Sequence, residues 1–304
     1  MTKMPALCPV VRTSEDGLAL SRIVAGMWRM GEWGMTPQQR LALLEQCMEL
    51  GITSFDHADI YGNYGVEALF GEALALRPAL RERMQIIGKC GIKLVSPARP
   101  AHAIKQYDTS PEHILASVDT SLRALRTDYL DLLLIHRPDP LMDFDAIAET
   151  FTGLRAAGKV KHFGVSNFSR HQFESLHRRI PLATNQVEFS PLHTAPLYDE
   201  TFDGLQDRNV APMIWSPLAG GRLFRDDPAT EPLRATVRRI AGETGHSFTS
   251  VVFAWIMQLP CKPIPLTGSG RIEAIGEAAE ATRFTLSRTQ WFEILRAAQG
   301  HDVP

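Results

Sequence analysis

The chain has 304 residues, of which 44% are hydrophobic and 22% charged, and its formal net charge is −2. This is the composition of a globular protein, and the near-neutral charge argues against a nucleic-acid or membrane-surface partner. No apolar run reaches the ~18–20 residues of a membrane helix, and the N-terminus lacks the apolar core of a signal peptide. The four cysteines form no CxxC pair, so we expect reduced, structural thiols in a cytoplasmic protein.

Short β-rich runs alternate with amphipathic segments along most of the chain. The runs occupy residues 23–27, 53–57, 85–89, 129–135, 162–165, 183–187, 211–215 and 263–266. The central runs are continuously apolar, which is typical of parallel strands covered on both faces. Helix N-caps are predicted at Thr36, Ser110, Ser169 and Ser287. Gly51 and Gly158 stand where left-handed helix C-caps are expected.

This alternation predicts the fold class. About eight strand–helix pairs without a break in composition favour a single α/β domain over residues 1–304, a (β/α)8 or TIM barrel. A doubly wound sheet would need fewer strands and a Gly-rich first turn. A hairpin with Asp16-Gly17 at its turn precedes the barrel, and we expect it to close the barrel bottom. Two extra helices are predicted near 231–243 and 287–298.

Two nucleotide-binding motifs are rejected. Gly153, Gly158 and Lys159 have the spacing of a phosphate-binding Walker A loop, but Val160 replaces its final Ser or Thr. The segment also lies between a helix and a strand, the reverse of the order that the motif needs, so we interpret it as a helix end. No GxGxxG follows any predicted strand, which argues against a Rossmann site.

Four ionisable side chains follow predicted strands. Asp56 and Tyr61 occur in DHADIYG, Lys89 in IIGKC and His136 in LLLIHRPDP. Each has a structural alternative when taken alone: a helix cap, a loop anchor, an exposed strand end and a hydrogen-bonded structural imidazole. A parallel barrel, however, assembles its chemistry at the C-terminal ends of its strands. An acid, a phenol, an amine and an imidazole together predict a proton-donating site.

Longer stretches around these residues resemble the aldo-keto reductase family over nearly the whole chain. They are GITSFDHADIYG (51–62), KCGI (89–92), DYLDLLLIHRPDP (128–140), GKVKHFGVSNF (158–168), NQVEFSPLH (185–193) and WSPLAGGRL (215–223). The chain looks most like a bacterial putative-oxidoreductase branch, in which Arg-Pro-Asp-Pro follows the histidine. The resemblance implies a reductase that transfers hydride from NADPH to an aldehyde or ketone. It also implies that Asp56, Tyr61, Lys89 and His136 are the catalytic tetrad.

The chemistry expected of these four residues follows from carbonyl reduction. Negative charge grows on the carbonyl oxygen, and Tyr61 would donate the proton to it. We expect the ammonium of Lys89 to lower the phenol's pKa from its ordinary ~10. Asp56 would pair with Lys89, and His136 would hydrogen-bond the carbonyl oxygen.

The resemblance also implies a cofactor site. The implied residues are Met27, Trp28, Asp56, Ser166, Asn167, Gln186, Trp215, Ser216, Pro217, Leu218, Arg222, Gly268, Ser269 and Arg271. Ser269 and Arg271 match the position of the adenosine 2′-phosphate, which favours NADPH over NADH. The segment 267–278 is shorter than in many relatives and has Thr267 near their usual lysine. The adenine contacts therefore stay unassigned, and no metal site is predicted.

The substrate pocket and the competing functions are less constrained. Trp28, Met27, Trp33 and Tyr64 are candidate lining residues. The long segment 92–108 is either a specificity loop or a surface excursion. The main alternative function is a cofactor-binding regulatory subunit of the kind that associates with membrane channels. A third is an unrelated barrel isomerase or metal hydrolase. The expected partner is a small carbonyl compound, and the expected state a monomer or weak oligomer.

Overall fold

Eight parallel strands close into a barrel in the computed structural model, which describes residues 8–14 and 17–303. In chain order the strands are β1 (Val10–Arg12), β2 (Ala19–Ser21), β3 (Val24–Gly26), β4 (Ser54–Asp56), β5 (Gln85–Cys90), β6 (Ile92–Lys93), β7 (Gln106–Tyr107), β8 (Leu130–Ile135), β9 (Val160–Ser166), β10 (Asn185–Glu188), β11 (Met213–Trp215) and β12 (Ile264–Thr267). The barrel order is β3-β4-β5-β8-β9-β10-β11-β12, and β12 pairs back onto β3.

Helices connect the barrel strands and cover them from outside. They are α1 (Pro37–Glu49), α2 (Tyr61–Tyr64), α3 (Val66–Ala75), α4 (Pro111–Leu125), α5 (Phe144–Ala156), α6 (Arg170–His177), α7 (Thr201–Asp207), α8 (Glu231–Thr244), α9 (Phe248–Met257), α10 (Ile272–Glu280) and α11 (Arg288–Gln299). The predicted TIM barrel is confirmed, and α8 and α11 are its two predicted extra helices. None of these described helices is both long and apolar enough to cross a membrane.

The N-terminal hairpin closes the bottom of the barrel, as expected. Strands β1 and β2 pair antiparallel, while Asp16 at the predicted turn lies outside the described residues. The carbonyl of Thr13 accepts a hydrogen bond from the amide of Ala211 at 2.7 Å, just before β11 begins. Leu18 and Leu20 pack with Ile264 and other side chains of the barrel interior. The hairpin therefore fills the end opposite to the one where the strands deliver their C-termini.

Two apolar layers explain why the central strands are continuously hydrophobic. Leu132 and Leu134 of β8 point into the barrel and pack in its interior. Leu133 and Ile135 point outward and pack under the helices. Successive strand residues face opposite sides, so a strand covered on both faces needs apolar residues at every position.

Most of the predicted helix ends are observed. Thr36, Ser169 and Ser287 each form a complete capping box, and Ser110 caps α4 by accepting from the amide of His113 at 3.3 Å. Gly158 follows α5 with a φ of +71°. The segment with Walker A spacing is thus a helix end that leads into β9, as interpreted from its sequence.

One glycine marks the closest approach of two helices. A Cβ placed on Gly71 of α3 would overlap the carbonyl oxygen of Ala124 in α4 and lie 3.0 Å from the carbonyl carbon of Leu125. We therefore expect Gly71→Ala to lower the free energy of unfolding by ~1–3 kcal/mol, measured by urea denaturation.

The matched control is Gly153→Ala in α5, where nothing lies within 4 Å of the added methyl group. Alanine is the better helix former by ~0.5–1 kcal/mol, so this variant should be as stable as the parent or more so. Equal stability losses in the two variants would contradict the close-approach argument.

Candidate active site

The four ionisable residues predicted to act together lie at the C-terminal end of the barrel. Asp56 ends β4, Lys89 lies near the end of β5, and His136 directly follows β8. Tyr61 begins the distorted turn α2 after β4. Asp56, Tyr61 and His136 line one cavity of about 1010 Å³, whereas Lys89 is buried behind its wall. Three neighbouring strands thus bring these side chains together.

Lys89 is the centre of a dense hydrogen-bond network. Its Nζ donates to both carboxylate oxygens of Asp56 at 2.7 and 2.6 Å, to the carbonyl of His57 at 2.9 Å and to Tyr61 Oη at 3.2 Å. Asp56 Oδ1 also accepts from Gln186 Nε2 at 2.8 Å. Burial lowers the pKa of Lys89, and the charge of Asp56 opposes that shift. The amine is therefore held in place directly beside the phenol.

The pKa of the Tyr61 phenol differs from the one expected from the sequence. Burial, and then the negative charge of Asp56, raise its pKa well above 10, whereas Lys89 was expected to lower it. The reason is that Asp56 neutralises Lys89 at contact distance, so the ammonium acts on the phenol as half of a neutral pair. The phenol therefore keeps its proton at neutral pH.

His136 stands across the cavity from Tyr61, with 6.0 Å between the ring centres and an angle of 79° between the rings. Burial, and then the charges of Lys89 and Arg137, lower its pKa well below 6.5. The ring is therefore neutral at pH 7, with one N–H donor and one acceptor nitrogen. Such a ring can donate one hydrogen bond to an oxygen atom in the cavity.

Ser166, Asn167 and Gln186 form a connected group beside these residues. Asn167 Nδ2 donates to Ser166 Oγ at 2.8 Å, and Asn167 Oδ1 accepts from Trp215 Nε1 at 3.0 Å. Gln186 donates its amide N–H to Asp56, and its Oε1 has no partner among the described residues. The free acceptor of Gln186 and the second lone pair of Asn167 suit the amino group of a carboxamide. These residues thus fit the nicotinamide that the sequence resemblance implies.

The remaining implied cofactor residues lie along the same cavity, with one exception. Its wall includes Trp28, Trp215, Ser216, Pro217, Leu218, Arg222, Gly268, Ser269 and Arg271. Arg29 and Arg225 add two more guanidinium groups, which suits a polyanionic dinucleotide. Met27 is the exception, because its side chain is 1% exposed and packs in the core outside the cavity. Val24 packs inside the barrel, whereas Ala25 and Met27 pack in the outer layer, so the alternation of β3 points Met27 away from the cavity.

Several proposed substrate-pocket residues are also not part of the wall. Neither Trp33, Tyr64 nor any residue of 92–108 lines the described cavity. The segment 92–108 includes the antiparallel pair β6–β7, and its Leu94 amide donates to Tyr64 Oη at 2.8 Å. It is therefore a surface excursion with most of its residues exposed, held in shape by its own strand pair and by the bond to Tyr64.

Comparisons with known proteins agree with this geometry. The model of the Aldo/keto reductase family matches residues 22–298. The chain is 50% identical to Oxidoreductase YdhF of Escherichia coli (strain K12) over 97% of this chain and 99% of that protein. It is 43% identical to a 6-dehydroglucose reductase of Agrobacterium fabrum, over 95% and 97%.

The chain belongs to the aldo/keto reductase family. It is accordingly an NAD(P)H-dependent oxidoreductase. The fold agrees as well: glycerol dehydrogenase AKR11B4 from Gluconobacter oxydans superposes with a TM-score of 0.83 at 23% identity, covering 99% of this chain and 98% of that one. In the described part of this aldo/keto reductase, no three His, Cys, Asp or Glu side chains are grouped to hold a metal ion.

Two buried carboxyl groups behind Lys89 were not identified from the sequence. Asp59 Oδ2 accepts from Ser117 Oγ at 2.7 Å, and the amide of Asp59 donates to the carbonyl of Lys89 at 3.1 Å. Burial raises the pKa of Asp59 to about 7. Burial, and then the charge of Asp59, raise the pKa of Glu67 to about 8. Asp59 lies within the stretch DHADIYG, and this position was the sequence signal that could have identified it.

Glu67 makes the stability of the fold depend on pH. Its pKa rises from 4.5 in the unfolded chain to about 8 in the folded one, so the folded state binds the extra proton between these values. Stability from this group is complete below pH 4.5 and is lost as the pH rises through 8. We expect Glu67→Gln to remove this loss, by up to ~1.4 kcal/mol for each pH unit.

The measurement is urea unfolding of parent and variant from pH 5 to pH 9. The variant's relative stability should increase with pH, and titrating groups that do not interact with Glu67 cancel in the difference. Parallel curves for the two proteins would show that Glu67 is ionised in the fold.

Proposed function

We propose that this chain reduces an aldehyde or ketone with NADPH and that Tyr61 donates the proton to the carbonyl oxygen. The observation that carries the proposal is the contact of 3.2 Å between Lys89 Nζ and Tyr61 Oη beside a buried Asp56, at a cavity that Tyr61 and His136 line. Such an arrangement supplies a proton where negative charge develops.

Each residue has a separate role in this proposal. NADPH supplies the hydride when bound. Tyr61 is protonated before the reaction, because burial raises its pKa. It gives this proton to the carbonyl oxygen of the substrate, on which negative charge develops. Lys89 then stabilises the phenolate that remains, and Asp56 keeps the buried amine charged. Neutral His136 donates a hydrogen bond that orients the carbonyl group.

Different residues of the cavity are proposed to bind the two ends of the cofactor. Gln186 and Asn167 would hold the nicotinamide carboxamide, and Trp215 would carry the ring. Arg222 would contact the pyrophosphate. Arg271 lies at the N-terminus of α10, and its own amide donates to Ser269 Oγ at 3.1 Å. A guanidinium at a helix N-terminus favours a phosphate group, which supports NADPH over NADH.

The natural substrate and setting belong to the same proposal. Relatives from Agrobacterium fabrum and Novosphingobium aromaticivorans, 43% and 36% identical, are named 6-dehydroglucose reductases. An oxidised hexose is therefore one carbonyl compound to assay. We further propose a cytoplasmic, single-domain enzyme over residues 1–304 that is a monomer or weak oligomer. Four free, buried cysteines support a reducing compartment.

Replacing the proposed proton donor separates chemistry from binding. We expect Tyr61→Phe to lower kcat for nitrobenzaldehyde reduction by ~10²–10⁴-fold, because the carbonyl oxygen loses its acid. Affinity for NADPH, followed by quenching of tryptophan fluorescence, should stay unchanged. Full activity of the variant would show that Tyr61 is not the proton donor. Tight cofactor binding without turnover in the parent protein would instead favour the regulatory alternative.

The phosphate assignment has its own test. Arg271→Gln should raise the KM for NADPH by ~10-fold or more, because a charge-assisted contact to phosphate is lost. The KM for NADH should not change, since NADH lacks that phosphate. Steady-state kinetics with both cofactors check this. An equal rise for both would place Arg271 away from the 2′-phosphate.

A further inference from the structure

A second polar cluster lies between the end of β5 and the helices α3 and α4. Its two carboxyl groups belong to Asp59, which follows β4, and to Glu67 of α3, and both residues are buried. Asp59 Oδ1 and Glu67 Oε1 have no hydrogen-bond partner among the described residues. Burying an unpaired charge is costly, so such carboxyl groups keep their protons to a higher pH than exposed ones. The proton donation proposed for Tyr61 uses neither group.

Asp59 connects the strand that carries Lys89 to helix α4. Its amide donates to the carbonyl oxygen of Lys89 at 3.1 Å, and its Oδ2 accepts from Ser117 Oγ at 2.7 Å. Tyr61 begins α2 on the other side of Ile60. Asp59 is therefore bonded to the chain of the buried amine and lies close in sequence to the proton donor. A change in its charge acts on both groups.

Titratable groups face Asp59 from each element packed around it. They are His57 in the loop after β4, Lys89 and Cys90 of β5, Tyr61 and Tyr64 of α2, Glu67 of α3 and Arg99 of the segment 92–108, while α4 contributes the neutral hydroxyl of Ser117. Burial keeps the imidazole, the thiol and the phenols of this set uncharged at pH 7. Burial also raises the pKa of Asp59 to about 7, although Ser117, Arg99 and Lys89 favour its ionised form.

Ionised Asp59 acts on Lys89 and on Tyr61 in different ways. Burial lowers the pKa of Lys89, and the charges of Asp56 and then Asp59 oppose that shift. Asp56 already secures the ammonium at 2.6 Å, so the help of Asp59 is the smaller one. At Tyr61 the charge of Asp59 adds to burial and to the charge of Asp56, and all three raise the pKa of the phenol. The net effect of ionising Asp59 is therefore a weaker acid at Tyr61.

We propose that Asp59 is a positioning residue for the reductase reaction, which fixes the end of β5 through Lys89 and sets by its own charge how readily Tyr61 releases its proton. With a protonated carboxyl group at Asp59, the phenol is the stronger acid and carbonyl reduction is fast. After Asp59 has lost its proton to solvent, the phenol is a weaker acid and reduction is slower. In both states the hydride comes from NADPH, and the carbonyl oxygen receives its proton from Tyr61. This inference rests on the proposed function, because it concerns the proton donor of that same site.

The test is the pH dependence of the chemical step. The enzyme–NADPH complex is mixed with nitrobenzaldehyde at pH values from 6 to 9, and a single turnover is followed by the absorbance of NADPH. The parent's rate should fall by ~3–10-fold as the pH rises through about 7, because one buried charge changes the proton affinity of a nearby phenol by about one pKa unit. Asp59→Asn still accepts from Ser117 but cannot ionise, so its rate should stay at the parent's low-pH level.

Two further variants separate charge from packing. Ser117→Ala removes a bond that favours the ionised form of Asp59, so the fall in rate should move to higher pH by about one unit. This variant also tests the inference if Asp59→Asn does not fold. Asp119→Asn is the matched control on the same helix. It removes a surface carboxylate that pairs with Lys159 at 2.6 Å, and it should leave the parent's pH profile unchanged.

Three results would overturn the inference. A fall in rate that persists unchanged in Asp59→Asn would show that another group causes the pH dependence. A loss of rate in Asp59→Asn that is equal at every pH would show that Asp59 only supports the packing of α4 against β5. A parent whose single-turnover rate does not change between pH 6 and pH 9 would show that the charge of Asp59 does not reach the proton donor.

Failure of the underlying function gives a different result. A parent that consumes no NADPH with nitrobenzaldehyde at any pH would end the reductase proposal, and this inference with it. The proton on Asp59 has a readout that does not need turnover, namely the infrared band of a protonated carboxyl group. The difference between the spectra of the parent and of Asp59→Asn should show this band below pH 7 and lose it above. A parent that reduces nitrobenzaldehyde but lacks the band would contradict the inference alone.

Discussion

The buried ion pair between Lys89 and Asp56 is the constraint on which the active site depends. The two side chains are only 1% and 2% exposed, and neither charge could remain there without the other. Their contact joins β4 to β5, and the further bonds to Tyr61 and Gln186 extend the connection to the first turn after β4 and to β10. The arrangement that supports chemistry is therefore also the one that satisfies the buried charges of the barrel.

The neutrality of this pair also governs its surroundings. At the phenol the charge of Asp56 outweighs that of Lys89, whereas at His136 the charge of Lys89 still lowers the pKa of the ring. The phenol of Tyr61 consequently responds to burial more than to the ammonium beside it, and it stays protonated.

Strands and helix starts could be predicted from the sequence, because short-range patterns determine them. The run at 129–135 became β8 (Leu130–Ile135), and the capping signal at Ser287 became the start of α11, because strand periodicity and helix caps are local. The positions of Asp56, Lys89 and His136 at strand ends were also enough to predict that these side chains lie close together, because the parallel strands of a barrel end at one face.

Properties that depend on distant neighbours could not be predicted in this way. The acidity of Tyr61 depends on how fully Asp56 cancels Lys89. The buried carboxyl of Glu67 gave no signal, because an acidic residue in an amphipathic helix usually faces water. In each case the deciding quantity is a three-dimensional distance or a degree of burial.

The amide of Gln186 has one further consequence. Its nitrogen is tied to Asp56 while its oxygen is open to the cavity, and a planar amide cannot rotate one end without the other. Any molecule that engages the oxygen therefore also restrains the carboxylate that holds Lys89. A contact made at the cavity side of this amide and the position of the Asp56 carboxylate are thus mechanically coupled through one planar group.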